Sequence, residues 1–437
     1  MPTRRRQFLK SGLAGTAAVL VAGCTTGTTD EETTTTTASG GDETTTTSGG
    51  DPDGDSSEQV RIGFIHPLSG GYSTLGEPQE EGGKLAVEQL NANGGIDGKE
   101  VVGFHEDSGG SASTAQQKAR LLIDSKDVDV LTGLANSSAA LAVQEIAAEE
   151  GIVFGNQAGA DPITKSRCNE YTFRYELRTG QIARAAAPWA IQNLGTKVWF
   201  HVADYAYGNA FLNGWKEVLS DYDYTEVNTT KSQLGANDFS SYITQIQNSD
   251  ADFLALGMAG GDLVKFNQQA SSYNLRDSVD IIAGTNDFRS VRLGGGSGVV
   301  GTYSGVRYFE GLDNEMNRQF VTDYINAYDK VPANHAESQW TMVHEILAPA
   351  IASAGTTDPD PLISELEGMA FDSPMGGGNL RACDHQAERD VPVARVTEPQ
   401  DTELLQGHGK NLPSLEILQT ISGPEAIEAC DSIDCSL

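Results

Sequence analysis

From residue 60 onward the apolar positions switch between two periods. Residues 60–65 (Val60-Arg61-Ile62-Gly63-Phe64-Ile65) read as a buried strand, and Leu85, Ala86 and Leu90 fall at helical spacing across 80–91. A strand at 101–105, a helix at 113–124, a strand at 128–132, a helix at 138–149 and a strand at 152–155 follow. This βαβαβαβ order predicts a mostly parallel sheet covered by helices. A second run places strands at 197–202, 224–229, 252–257 and 279–283, with helices at 209–219, 239–247 and 262–273. Between the runs Thr172-Phe173-Arg174-Tyr175 reads as an extended crossing, so the first lobe should end near residue 178. The expected fold class is α/β with two lobes.

The N-terminus lies outside this pattern. Arg4-Arg5-Arg6-Gln7-Phe8-Leu9-Lys10, then a small and apolar stretch to Gly23, then Cys24, form a charged region, an apolar region and a processing site. The Arg5-Arg6-x-Phe8-Leu9-Lys10 pattern resembles a twin-arginine export signal. Val21-Ala22-Gly23-Cys24 resembles a lipobox, which makes Cys24 the expected lipid attachment point. Residues 25–57 hold thirteen Thr and eight Asp or Glu but no Lys, Arg or aromatic residue, too little apolar surface to offset the entropy of ordering. The expectation is a signal at 1–23, a tether at 24–57 and an exported body anchored at the outer face of the cytoplasmic membrane.

Charge changes the picture of partners. The 437-residue chain has 29 Lys+Arg against 61 Asp+Glu, a formal net charge of −32. Phosphate backbones and anionic headgroups repel such a body, so nucleic acid is not an expected partner and membrane contact should run through the lipid alone. With 49 Gly and few large aromatic residues, the composition resembles that of haloarchaeal proteins. Cys168, Cys383, Cys430 and Cys435 are an even number in an exported chain, which favours disulfides. Cys430 with Cys435 would close a small loop and leave Cys168 with Cys383, but three pairings are open. There is no CxxC, HExxH, P-loop or GxSxG, and the seven His are scattered, so no metal, cofactor or catalytic residue is expected. Gly296-Ser297-Gly298-Val299-Val300-Gly301 matches G-x-G-x-x-G but precedes a strand pattern rather than a helix, which removes the dinucleotide reading. Asp384-His385 reads as structural hydrogen bonding or a closure contact rather than an acid/base pair.

Several segments carry a resemblance. These are 67–76 (Pro67-Leu68-Ser69-Gly70-Gly71-Tyr72-Ser73-Thr74-Leu75-Gly76), 86–99 with Asn91-Ala92-Asn93-Gly94-Gly95, Glu106-Asp107-Ser108 and the turn at 133–141. Ala203-Asp204-Tyr205-Ala206-Tyr207-Gly208, Asn237-Asp238-Phe239-Ser240-Ser241-Tyr242 and Arg381-Ala382-Cys383-Asp384-His385-Gln386 continue the series. Together they resemble the type I periplasmic solute-binding proteins of ABC transporters, in the leucine/isoleucine/valine branch. The resemblance implies two Rossmann-like lobes joined by three hinge crossings. Lobe one would comprise 58–178 plus 309–371, lobe two 179–308 plus 372–398, and a tail would follow at 399–437. Helical patterns at 314–328 and 336–354 would pack on lobe one, and strand patterns at 379–382 and 391–396 would finish lobe two. The implied function is capture of a small carboxylate-bearing solute, a branched-chain or related amino acid, for a separate permease and its ATPase. An amide or aromatic-acid binder, or a sensory receptor of the same fold, is the rival.

The resemblance also implies site residues. Asn136, Ser137 and Ser138 open a helix after a strand, where free N–H groups and the helix dipole favour an anion. In the family the serines of this turn hold the ligand carboxylate; helix capping is the alternative role, and the two can coexist. Ala158, Gly159 and Ala160 occupy the second carboxylate-binding turn, with Ala160 where a hydroxyl is usual. Tyr207 matches a tyrosine that closes over ligand, with Tyr205 beside it and Tyr72 the candidate from lobe one. Amino-acid binders place an acid after the strand at 279–283. Here Asn286 is the nearest match and Asp287 comes one residue later. Asp287 in the cleft would suit an α-amino acid; Asn286 there would suit a neutral or purely anionic ligand.

The acid excess predicts that the body loses structure as salt is withdrawn, because unscreened carboxylates repel one another. Melting curves from molar to low salt should show a falling Tm, and a flat series would count against the halophilic reading.

Overall fold

Two largely parallel sheets organise residues 59–437, the part of the chain that the computed structural model describes. The expected export signal, Cys24 and tether lie outside the described residues. In the first sheet β1 (Gln59–His66), β2 (Glu100–Asp107), β3 (Val130–Gly133), β4 (Val153–Asn156) and β5 (Thr172–Arg174) lie in the order β2-β1-β3-β4-β5, every pair parallel. Alternation along β1 sets its faces. Val60, Ile62 and Phe64 enter a core with Phe320, Trp340 and Ile346, whereas Ile65 enters the core on the other side with Leu131, Ala119 and Val143.

The second sheet is built from β6 (Lys197–Ala203), β7 (Thr225–Ser232), β8 (Phe253–Gly257), β9 (Asp280–Ala283) and β10 (Tyr303–Gly305). The chain then forms a small antiparallel sheet of β11 (Ala370–Phe371), β12 (Gly378–Leu380) and β13 (Ala387–Arg389). It returns through β14 (Val391–Pro399) and β15 (Pro413–Ile421), which extend the second sheet to the order β15-β14-β10-β9-β8-β6-β7. β14 is antiparallel to β10, and β15 to β14. Central β8 is buried along its whole length, with Leu254 and Leu256 on one core and Phe253 and Ala255 on the other. Edge strand β7 is mostly open to solvent. Continuous apolar runs belong to strands covered on both faces, and polar runs to edges.

Helices pack closely where glycine permits. A Cβ on Gly82 would lie 2.1 Å from the Ala336 carbonyl oxygen, so helix Ser73–Ala92 meets helix Asn334–Thr341 backbone to backbone. The helical pattern at 336–354 is not one α-helix. A π-helical turn, Met342–Leu347, separates Asn334–Thr341 from Ala348–Ala354. Pro349 lacks the N–H that would continue the i to i−4 ladder, a physical reason for the altered winding there. The chain passes between the lobes at 175–178, at 306–309 and at Asp390. Among the described residues no helix is long and apolar enough to cross a membrane.

Three expectations need correction. The segment at 379–382 does not finish lobe two; β12 pairs with its sequence neighbours β11 and β13, and Leu380 is buried in the first lobe's core with Phe371 and Tyr175. Its alternation predicted a strand but could not name the partner. Residues 399–437 are not merely a tail, because β15 buries Leu415 against the second sheet. The disulfides are Cys168–Cys435 and Cys383–Cys430, not the small loop of Cys430 with Cys435. The last fifteen residues therefore form a strap, running from the edge of lobe two to the loop after β4 in lobe one.

Just before its two bridged cysteines the strap buries Glu428. Its carboxylate meets Lys165 at 3.0 Å, Arg184 at 3.4 Å and Arg178, and its carbonyl accepts from Arg381. Burial works against ionisation, but the Arg178, Lys165 and Arg184 cations hold this carboxyl well below the usual carboxylate range. Peptide mapping without reduction should recover the 168–435 and 383–430 pairs. Replacing Cys383 and Cys430 with Ala should cost about 2–4 kcal/mol of unfolding free energy in chemical denaturation. Recovery of a 430–435 linked peptide would contradict the strap.

Candidate functional site

The turns at the carboxyl ends of the first-lobe strands are held by side chains that the chain has already committed. After β3, Leu134 takes a left-handed backbone conformation, φ 65°, and its N–H donates to the Ile65 carbonyl at 2.8 Å. A buried leucine with positive φ is costly and marks a constrained turn. Asn136 caps helix Ser137–Glu150, its Oδ1 accepting from Ala139 N–H at 3.0 Å. Ser137 Oγ accepts from Ala160 N–H at 3.2 Å and so ties this turn to the next one. The second turn is further fixed by Asn156, which accepts from Ala158 N–H at 2.6 Å. Arg174 Nη1 donates to the Ala158 and Ala160 carbonyls at 2.9 and 2.7 Å.

What faces the space between the lobes is therefore only part of the motif residues, joined by others. A narrow cavity of about 20 Å³ is lined in the first lobe by Leu75, Ala135, Gln157, Gly159 and His335. The second lobe supplies Tyr205, Tyr207, Ala259, Thr285 and Phe288, and Glu176 and Arg307 arrive on the first two crossings. That space suffices for about one water, so the lobes are drawn together. Tyr72 closes the rim, its ring 6.1 Å from that of Tyr205 and packed in the second lobe's core.

The wall carries unspent hydrogen-bonding capacity. Both amide atoms of Gln157, His335 Nδ1 and both Glu176 carboxylate oxygens are buried without a hydrogen-bond partner, while the Tyr207 hydroxyl and the Arg307 guanidinium lie close enough to interact with each other. Buried polar groups in a folded protein are nearly always paired, so such a concentration marks a place built for something polar. Arg307 Nε lies 3.0 Å from Glu176 Oε1 as an ion pair, and Nη1 donates to the Gly284 carbonyl. The guanidinium also sits 5.6 Å from the centre of the Phe288 ring. Burial pushes Glu176 up to about 7, against the pull of Arg307 and Arg389. Burial, helped by Arg307, lowers His335 to about 3 and keeps it neutral. Burial also raises Tyr207 to about 12, with Arg307 opposing.

Of the predicted residues, Gly159, Tyr205 and Tyr207 line the cavity, Tyr72 stands at its rim, and Ala158 and Ala160 lie just behind Gly159. Asn136 and Ser137 are buried behind Ala135, and Ser138 is half-buried on the helix. Asn286 is spent within lobe two, accepting from Asn267 at 3.0 Å and donating to Thr302 at 2.9 Å. Asp287 accepts from Arg307 N–H at 2.7 Å and from Ser304 Oγ at 3.2 Å. Neither lines the cavity. Sequence reasoning missed Glu176, Arg307, Gln157 and His335. Glu176 between Tyr175 and Leu177, and Arg307 between Val306 and Tyr308, are charges inside apolar extended runs, a signal that could have found them.

Asp384 pairs with Arg178 at 3.2 Å and with Arg381, and His385 stacks on Phe173 at 3.9 Å while facing Glu367. Both lie in the hinge rather than on the cavity wall. A larger groove of about 600 Å³ on the outside of the first lobe includes Gln89, Phe320, Asp323 and Trp340. Its polar groups bond one another, Gln89 to Asp323 at 2.9 Å and Trp340 to Gln89 at 2.7 Å, so little there is left unpaired.

A family model described as periplasmic binding protein matches residues 59–402. A Leu/Ile/Val-binding protein homologue of Brucella melitensis is 27% identical over 199 residues, 45% of this chain and 54% of that protein. The chain thus spans about half the length of that relative. A periplasmic binding protein from Burkholderia mallei superposes with a TM-score of 0.79 at 27% identity, covering 87% of this chain and 99% of that one. A solute-binding protein of an ABC transporter from Rhodopseudomonas palustris, solved with 3,4-dihydroxybenzoic acid, gives 0.76 at 21% identity, covering 84% and 98%.

Ser137→Ala should lower the unfolding free energy of the unliganded protein by about 1–3 kcal/mol, because it leaves the buried Ala160 N–H without its acceptor. Denaturant titration measures this, and a change under about 0.5 kcal/mol would show that the bond between the turns carries no weight.

Proposed function

The chain belongs to the periplasmic binding protein family, and from that premise we propose that it captures a small carboxylate-bearing solute for an ABC importer. The ligand class that the wall's charged and apolar groups suit best, once the lobes part to admit it, is an α-amino acid with an apolar side chain. The observation that carries this reading is the small space between the lobes, where Gln157 and Glu176 keep polar atoms without partners beside the Tyr207 hydroxyl and the Arg307 guanidinium. Leu75, Ala135, Ala259 and Phe288 add an apolar wall. A pocket of this kind orients a ligand by a few polar groups and binds it by burial.

Arg307 Nη2 is the cationic donor for a carboxylate, with the turn at 157–160 beside it. Ser137 and Ser138 would act through the turn they brace. Binding closes the lobes because a ligand touching both favours the closed state. No chemistry is done on the ligand. The twin-arginine pattern and Cys24 support an exported lipoprotein held by its tether at the outer face of the membrane, and the −32 charge supports a haloarchaeal setting. The permease and the ATPase would be separate chains.

A thermal-shift panel of amino acids, acetamide, benzoate and hydroxybenzoates tests the assignment. A ligand at a hundredfold excess over Kd should add about 2.7 kcal/mol to stability. A rise with leucine, isoleucine or valine is the expected result. A rise with the aromatic acids alone would move the ligand class, and no rise with any of them would remove solute capture.

A further inference from the structure

We propose that Glu176, carried on the first crossing, is the acceptor for the ligand's ammonium group, and that capture of an amino acid expels a proton from the cavity. The inference rests on the amino-acid reading above and extends it to one residue and one linked ion. Glu176 is 1% exposed and lines the cavity, yet neither carboxylate oxygen accepts a hydrogen bond. Its one close partner is the Arg307 Nε at 3.0 Å. A carboxylate has about four acceptor sites, and an ammonium brings three donors. The two candidates after β9 are unsuitable, since neither Asn286 nor Asp287 lines the cavity and both are engaged by Asn267, Thr302, Ser304 and the Arg307 backbone.

A ligand carboxylate taken by Arg307 Nη2 would place a second anion beside Glu176. A zwitterion offsets that anion with its own ammonium, whereas a simple carboxylic acid does not. The pair therefore selects a ligand with both charges.

The surroundings fix the sign of the pH dependence. Arg307, Arg389 from β13 and Arg174 from β5 favour the ionised Glu176, while Asp287 opposes it. Glu337 on helix Asn334–Thr341 is a further buried acid coupled to Glu176, held at about 7 by burial. Neutral His335 from the same helix and un-ionised Tyr207 complete the shell. Burial outweighs these cations and holds Glu176 near neutrality, so part of the free protein carries a proton there. An ammonium stabilises only the ionised form. Amino-acid affinity should then rise with pH up to about 7 and level off above it.

The test is calorimetry on the full chain from pH 5.5 to 8.5, with L-leucine and its deaminated analogue 4-methylpentanoate as probes, against wild type and Glu176→Gln. Leucine Kd should tighten up to about tenfold per pH unit below 7, with proton release seen as a difference in heat between phosphate and Tris buffers. Glu176→Gln should weaken leucine at least about 100-fold at pH 8 and abolish the proton release. The same substitution should tighten 4-methylpentanoate, which shows that the variant is folded and competent. Leucine binding within threefold of wild type in Glu176→Gln, or affinity that falls as pH rises, would overturn the proposal. Wild-type binding of 4-methylpentanoate or benzoate but of no amino acid would overturn it and leave solute capture standing. Binding of neither class would overturn both.

Discussion

The pairing of Glu176 with Arg307 is the contact on which the arrangement of the cavity depends. Two extended crossings run side by side between the lobes, and this buried ion pair joins them. A buried pair is expensive unless the remaining donors and acceptors are met. Arg307 meets part of that need through the Gly284 carbonyl, and its own backbone N–H is held by Asp287. Arg389, at the end of β13 just before the third crossing, donates to the Arg307 carbonyl at 3.0 Å while its guanidinium lies over the Tyr175 ring. All three crossings are thus locked to one another by charge. The deficit that remains, at the Glu176 oxygens, is what opens toward the ligand space.

Behind the crossings the same solution recurs with most of the deficit closed. Arg174, fully buried, donates to the Ala158 and Ala160 carbonyls, Gln386 and Thr164, so each of its three nitrogens has a partner. Arg178 pairs with Asp384 and Glu428 through Nη1 and Nη2 while its Nε stays unpartnered, Arg381 pairs with Asp384 and the Glu428 carbonyl, and two disulfides just past Glu428 hold the strap that carries it. The hinge region is therefore rich in arginine, whose flat fork can satisfy several carbonyls at once. This explains how a chain with so large an excess of surface acid keeps several of its few cations inside.

The sheets were legible in the sequence because period-2 alternation and continuous apolar runs report burial directly, as in β1 and β8. The turns at 133–138 and 157–160 were legible because position after a strand is a local property. Orientation was not. Ser137 faces Ala160 rather than the cavity, and Asp287 faces Ser304, because the next element in space decides which way a side chain points. Glu176 and Arg307 escaped notice since crossings carry no periodic pattern and no motif. The disulfides depended on where β15 delivers the strap, a long-range fact that cysteine spacing does not contain.

Placing the charged pair on the crossings rather than on the lobes has a consequence for closure. Contacts made equally in the open and closed states deepen binding but shift no equilibrium between them. Glu176 and Arg307 sit at the pivot, where a hinge rotation displaces atoms least, so their ligand contacts change little as the lobes swing. The contacts that differ most are those at the far sides of the cavity: Leu75 and Ala135 from the first lobe, and Tyr205, Ala259 and Phe288 from the second. On the proposed reading, the charged ends of the ligand fix it at the pivot, and its apolar side chain draws the lobes together by burial. Selectivity for charge and selectivity for side-chain size then reside in different residues of one small cavity.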